Sequence, residues 1–293
     1  MYPARFDYAD PQTVEQAVAY LEAHADEDVK VLAGGQSLIP LMRLRFARPD
    51  HLVDLNRIEA LRFLRLEAGG LRIGALTREA ELEADPVVRR AFPILHDATR
   101  VIADPLVRNM ATVGGNLAHG DPANDHPAVM VALEASVLAR GPGGERELRA
   151  SDLFVDLFET ALEPTEILTE IRVPAQPPGS GAGYVKFERQ AGDFAIAAAA
   201  ARVTVAGGVV AGARLVYTNV GSTPVRVEQA EQVVTGRPLT GGDARAAGRA
   251  AAAALDLEDD LRGSAAYKRR VVVAVTERAL RLAHTRATTL EAA

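Results

Sequence analysis

Two double-glycine turns, Gly34-Gly35 and Gly114-Gly115, limit what this chain of 293 residues can fold into more than any other feature. The first ends a short apolar strand, Val29 to Ala33. It leads through Gln36 into a short helix carrying Leu38, Ile39, Leu41 and Met42, with Ser37 as the expected cap and Pro40 tolerated in the first turn. Strand, glycine turn and helix start form the layout of a phosphate cradle. Glycine has no side chain to hold a ligand away and accepts positive φ, so successive N–H groups can converge on a diphosphate. An ordinary strand-to-helix turn has the same outline. The stretch is neither a Walker A loop, since no Gly-Lys-Ser/Thr follows, nor a GxGxxG fingerprint. The second turn, Thr112-Val113-Gly114-Gly115-Asn116, offers a hydroxyl, backbone amides and a side-chain amide, where a plain turn needs one glycine at most. Together the two would surround a diphosphate with neutral donors and leave an elongated groove for a nucleotide's rings.

Composition excludes several other uses. With 33 Lys+Arg against 39 Asp+Glu, the net charge of −6 has the wrong sign for nucleic acid. The chain has no cysteine, so thiolate zinc sites, Cys-ligated iron–sulfur clusters, disulfides and thiol nucleophiles must be absent or lie on another chain. The N-terminus, Met1 to Asp7, lacks the plan of a signal peptide, and no run approaches the roughly 20 apolar residues of a membrane span. A cytoplasmic location is expected.

The length suits two domains. Thr13 and Gln16 form a capping box before an amphipathic helix carrying Val14, Ala17, Val18 and Leu21. His51 to Leu55 reads as a strand. Leu61 to Leu66 and Leu71 to Leu76 read as a hairpin, and helices follow over Thr77 to Ala84 and Pro86 to Ile102, broken near Pro93. Arg108 to Pro127 is rich in Gly, Asn, Asp and His and enters an apolar helix, Ala128 to Leu133. Glu166 to Val173 resembles a strand, and the Pro/Gly-rich residues 174–182 read as a linker between a domain over 1–175 and another over 183–288. In the second domain Tyr184 to Gln190, Ala195 to Ala206 and Val209 to Asn219 read as strands. Arg226 to Thr235, Asp243 to Leu255 and Ala265 to His284 read as helices.

His119, Asp121, Asp125 and His126 are of metal-ligating types, but their spacing matches no established motif, and Asp-Pro and Asp-His-Pro also serve as helix-start chemistry. Ser37 lacks the second glycine of a nucleophile elbow. No catalytic constellation emerges.

Taken together, Ala33-Gly34-Gly35-Gln36-Ser37, Thr112-Val113-Gly114-Gly115-Asn116, His119-Gly120-Asp121-Pro122 and Tyr184-Val185-Lys186-Phe187 resemble the FAD-binding medium subunit of molybdenum hydroxylases, the family of aerobic carbon monoxide dehydrogenase and bacterial xanthine dehydrogenases. The resemblance runs from Phe6 to the last helix. It implies an α+β fold: a two-subdomain FAD-binding domain of the vanillyl-alcohol oxidase (PCMH) type, then a smaller domain with a three-stranded antiparallel sheet and helices. It implies FAD, with Val31, Leu32, Ala33, Gly34, Gly35, Gln36, Ser37 and Leu38 and Thr112, Val113, Gly114, Gly115 and Asn116 around the diphosphate; with no Cys for a thioether link, non-covalent binding is expected. Ile102 would lie beside the isoalloxazine, Asp125 at the adenosine side, and Leu168 and Lys186 near the ring system. It also implies a large molybdopterin-binding subunit, a small subunit with two [2Fe-2S] clusters, assembly as a dimer of heterotrimers, and electron transfer from those clusters through this chain's FAD to an external acceptor. The alternatives are a stand-alone flavin-dependent reductase of the same fold, for which no substrate motif is visible, and a flavin-free assembly or scaffold subunit, which intact glycine turns argue against.

Overall fold

The computed structural model describes residues 2–291, so Met1 of the N-terminal reading lies outside the described residues. The chain begins with β1 (Asp7–Ala9), α1 (Val14–Ala23), β2 (Val29–Leu32), α2 (Leu38–Leu44) and β3 (His51–Asp54), and the three strands form a parallel sheet in the order β1-β3-β2. Thr13 caps α1 by accepting from the Gln16 N–H at 3.2 Å, while the Gln16 side chain reaches past the cap to the Gln12 N–H at 2.8 Å. Ala17, Val18 and Leu21, spaced to share one helix face, are buried with Val53, Ile58 and Leu61.

A second subdomain follows: β4 (Leu64–Glu67), β5 (Gly70–Gly74), α3 (Glu79–Ala84), α4 (Pro86–Ala91), α5 (Pro93–Thr99), α6 (Pro105–Met110), α7 (Val113–Ala118), α8 (Asp125–Ala132), β6 (Ser136–Gly141), β7 (Gly144–Arg149), α9 (Ala150–Leu153), β8 (Phe154–Asp156), β9 (Glu159–Thr160) and β10 (Ile167–Pro174). Its five-stranded sheet is antiparallel throughout, in the order β4-β5-β10-β6-β7. Three helices lie between Pro105 and Ala132, where the sequence suggests an irregular stretch ahead of one. Asp104 accepts from the Leu106 and Val107 N–H groups, and Pro105 opens α6, a helix-start pattern of aspartate followed by proline.

The C-terminal part comprises β11 (Ser180–Phe187), β12 (Ala197–Ala206), β13 (Val209–Thr218), β14 (Val225–Arg226), α10 (Glu228–Val234), α11 (Gly241–Ala254) and α12 (Ala265–Glu291). Three long strands form the antiparallel sheet, and β14 adds a two-residue edge where the sequence suggests the start of a helix. Irregular backbone between β10 and β11 spans only residues 175–179, because Ser180 to Gly183 already pair with β12.

This sheet explains the run of alanines. Ala197 to Ala201 are all inaccessible, with Ala198 and Ala200 in the core of the preceding subdomain and Ala197, Ala199 and Ala201 in the core under α11 and α12. Successive strand residues point to opposite faces, so β12 serves two cores at once, and small side chains let helices approach on both sides. Gly181 has the same purpose, since a Cβ there would meet the Ala283 carbonyl and the Ala287 N–H of α12. At the junction Arg286 donates to Asp97 (Nη2 to Oδ1, 2.9 Å) and to the Ala182 carbonyl (2.7 Å).

Candidate functional site

The first glycine turn is built by β2 and β3. In-register pairing of Leu32 with Asp54 brings Asn56 beside the end of β2, where its amide donates to the Ala33 carbonyl at 2.7 Å and to Asp54 at 2.6 Å. The chain then reverses through Gly35 at φ +71°, a conformation that favours glycine. Gln36 folds back to donate to the Gly34 carbonyl at 3.1 Å. Ser37 stands at the cap position of α2 but in the helical region, φ −103° and ψ −48°, and its hydroxyl makes no capping bond, in contrast to the sequence expectation. The N–H groups of Gly34, Gly35, Gln36 and Ser37 have no acceptor among the described residues. Four free amides in one turn, which runs from buried Gly34 to exposed Ser37, are the donor set an anion requires.

The second motif differs from the expected open turn, because Val113 to Ala118 is helix α7. Thr112 caps it, Oγ1 accepting from the Gly115 N–H at 3.1 Å. Val113 donates to the Thr77 carbonyl and Gly114 to the Ala75 carbonyl, both at 3.0 Å, while Asn116 donates to Thr112 O at 2.9 Å. These backbone amides are therefore spent within the protein. What remains for a ligand is the Thr112 hydroxyl proton and the Asn116 side chain, whose Oδ1 is buried without a partner. Gly114 is required for packing: a Cβ there would lie 2.6 Å from both Cβ and O of Ala75.

Direct contact joins the two motifs. Gly34 packs on the backbone of Met110 and Ala111, and a Cβ on Gly115 would approach the Cβ of Ala33 at 3.6 Å. Arg78, which the sequence reading missed, straps them together. Its guanidinium donates to the Met110 carbonyl and, at 2.6 Å, to Asn56 Oδ1. Burial holds its pKa below the usual arginine value, with Arg62 acting in the same sense. No spacing rule relates Arg78 to either motif, and only the fold reveals it.

Two of the remaining predicted residues, Asp125 and Lys186, form a second node next to Ile102, and Leu168 lies apart from it. Asp125 is almost fully buried, its Oδ1 accepting from the Tyr184 hydroxyl at 2.6 Å and its Oδ2 from Lys186 Nζ at 3.1 Å. Lys186 also donates to the Val101 carbonyl at 2.8 Å, which places it one residue from Ile102. Burial raises the Asp125 pKa against the opposing pull of Lys186 and Tyr184, and burial beside Asp125 pushes the Tyr184 phenol well up. Asn124 ties this node to the second motif by donating to the Asn116 carbonyl at 2.8 Å. Leu168 is a core residue of β10, 5% exposed, and its neighbour Thr169 accepts from Ala75, the residue against which Gly114 packs.

The four metal-ligand types named from the sequence part company. His126 pairs with Glu79 at 2.7 Å in a fully buried contact, His119 stacks on Phe158 with centroids 5.2 Å apart, and Asp121 accepts from the Ala123 N–H at 2.9 Å. Asp125 serves Tyr184 and Lys186. Burial alone would lower the His126 pKa, but the charge and hydrogen bond of Glu79 outweigh it and raise it.

Comparison with known proteins assigns the family. The sequence model described as the FAD binding domain in molybdopterin dehydrogenase matches residues 4–176, and that of the CO dehydrogenase flavoprotein C-terminal domain matches residues 182–283. The carbon monoxide dehydrogenase medium chain of Hydrogenophaga pseudoflava is 43% identical over 98% of this chain and 99% of its own. The 6-hydroxypseudooxynicotine dehydrogenase complex subunit alpha of Paenarthrobacter nicotinovorans is 40% identical over 96% and 95%. Among solved structures, carbon monoxide dehydrogenase from Hydrogenophaga pseudoflava superposes with a TM-score of 0.93 at 44% identity, over 98% of this chain and 99% of that one. Quinoline 2-oxidoreductase from Pseudomonas putida 86 does so with a TM-score of 0.92 at 29% identity, over 99% of both. The chain belongs to the family of FAD-binding medium subunits of molybdenum hydroxylases, and it is an oxidoreductase component with an FAD-binding domain. No described helix is long and apolar enough to cross a membrane.

Proposed function

We propose that this chain holds one FAD non-covalently at the junction of its two glycine motifs and relays electrons from [2Fe-2S] clusters on a small partner subunit to an external acceptor. Substrate oxidation would occur at a molybdenum cofactor on a large partner. The observation that carries the reading is the set of four free amides from Gly34 to Ser37, in a turn that packs through Gly34 on Met110 and Ala111 at the start of the second motif. These fit a diphosphate: N–H donors to anionic oxygens are worth about 1.5 to 3 kcal/mol each, and no carboxylate belongs to either glycine motif.

When bound, FAD supplies the exchange between one-electron and two-electron transfer. In this reading Val31 to Leu38 form one wall of the diphosphate site. Thr112 to Asn116 form the other, contributing a hydroxyl and a side-chain amide more than backbone donors. Ile102, Asp125, Leu168 and Lys186 line the rest of the cofactor's course, with Asp125 and Lys186 holding each other in place. Absence of any cysteine fits a subunit that receives electrons from clusters it does not ligate. The heterotrimer, its doubling and a cytoplasmic location belong to the same proposal.

Reconstitution tests it. The isolated chain loaded with FAD should stay oxidised when mixed anaerobically with candidate substrates, and its flavin should bleach when the iron–sulfur and molybdenum subunits are added. Bleaching by a small organic substrate without partners would establish a stand-alone flavoenzyme instead. Denaturation should release FAD into the supernatant, and flavin remaining on the chain would refute non-covalent binding.

A further inference from the structure

Three side chains that no motif connects meet at the end of the first sheet remote from the glycine turn. His24 ends α1, Glu27 lies in the turn that follows, and His51 opens β3, where it pairs with Val29 at the start of β2. Glu27 bridges one nitrogen of each ring, Oε1 2.8 Å from His24 Nδ1 and Oε2 2.9 Å from His51 Nε2. The two imidazoles stack with centroids 4.1 Å apart and planes inclined by 34°, so both present a nitrogen to the same carboxylate. One ligand atom from each residue lies within 4.8 Å of the others.

We propose that His24, Glu27 and His51 form a binding site for a divalent transition-metal ion of the zinc class. Two imidazole nitrogens and one carboxylate oxygen are a donor set suited to such an ion, with the remaining position left to water. The ion would take the place of the protons that now join each ring to Glu27. His51 is prepared for this exchange. It is 7% exposed, and its other ring nitrogen, Nδ1, lies 2.8 Å from the Tyr20 hydroxyl. That hydroxyl can donate to Nδ1 when Nε2 carries the proton and accept from Nδ1–H when Nε2 carries the metal. A ligating histidine is normally oriented by such a partner. His24 and Glu27 remain accessible, with side chains 28% and 47% exposed, so an ion can enter without unfolding. Ligands drawn from α1, the turn and β3 would make the ion a clip fastening the helix to the sheet. Because β2 runs from this end to Gly34-Gly35, the clip would brace the lobe that carries the first glycine motif without touching it.

Untagged full-length protein loaded with FAD should be dialysed against Zn²⁺, and its Co²⁺ form examined for ligand-field absorption. The expected result is one ion per chain, with affinity reduced on the order of tenfold or more in His24→Gln and in Glu27→Gln and unchanged in His284→Gln, a control on α12. FAD content should be the same in all four proteins, which separates the metal site from the flavin site. Zn²⁺ should raise the melting temperature of the parent and of His284→Gln and leave the other two unmoved. Failure of the parent to bind Zn²⁺, or equal binding by His24→Gln and Glu27→Gln, would overturn the proposal.

Discussion

Gly34 lies against Met110 so closely that a methyl group on its Cα would strike the Met110 carbonyl and come within 2.7 Å of the Ala111 Cα. The first glycine is thus the contact that seats one motif upon the other. Arg78 reinforces the same joint by donating to Met110 on one side and to Asn56 on the other. Distance between the motifs in the sequence is cancelled by a backbone-to-backbone contact that only glycine permits.

Gly34→Ala should therefore separate the motifs, with an overpacking cost of about 1 to 3 kcal/mol and loss of most bound FAD. Gly35→Ala meets Ile39 Cδ1, the mobile end of a side chain, at 2.6 Å, and its main cost is the positive φ, about 1 to 2 kcal/mol. Flavin-to-protein ratios after gel filtration should fall in the order parent, Gly35→Ala, Gly34→Ala. Retention of FAD by Gly34→Ala at the parent's level would disprove the joint. Gly115→Ala is a poorer probe of the ligand, because its Cβ would come 2.7 Å from Thr112 Oγ1 and disturb the helix cap first.

Asn116 distinguishes a diphosphate from other occupants. If its side-chain NH2 donates to an anion, Asn116→Asp puts a carboxylate beside that charge, whereas Asn116→Ala removes only a neutral donor. FAD affinity should drop by about tenfold in the alanine variant and further in the aspartate variant. Equal affinities for the two variants would mean that no negative charge lies near Asn116.

The sequence displays this site unevenly, for physical reasons. Gly34-Gly35 follows an apolar strand, so its role as a turn is local and readable. Gly114-Gly115 is deceptive, because residues that suggest a loop are used to let a helix start against Ala75, and only the tertiary neighbour reveals it. The alanines of β12 have helical propensity, and burial on both faces overrides it. β6 and β7 gave no expectation of their own, although Gly141-Pro142-Gly143-Gly144 marks the turn between them. Arg78 and the Glu79–His126 pair act across the fold, where single-sequence patterns carry no information.

Lys186 and Asp125 should prove interdependent. Lys186→Met leaves the Asp125 carboxylate buried with only Tyr184 to satisfy it, a loss of about 3 to 5 kcal/mol when one partner of a buried pair is removed. Asp125→Asn combined with Lys186→Met should recover part of that loss, since the Asp125 charge goes with its partner and only Glu188, 3.3 Å from Lys186 Nζ in the parent, is left unpaired. Urea unfolding of the single and double variants measures the difference. Additive effects would show that the pair is not coupled.

Fully buried, Glu79 and His126 predict a pH dependence whose sign follows from the raised His126 pKa. The folded state binds the imidazolium proton more tightly than the unfolded chain, where histidine titrates near 6.5, at about its ordinary value. The stabilisation is therefore complete below about pH 6.5 and is lost as pH rises through the higher folded value. A Glu79→Gln, His126→Gln double variant contains neither titrating group and supplies the reference. Glu79 donates its N–H to the Ala111 carbonyl next to Thr112, so the same loss should loosen the support of the second motif. Urea midpoints across a pH series should show the parent losing stability relative to the double variant on the alkaline side. A relative gain there would mean that the buried imidazole is neutral in the folded protein.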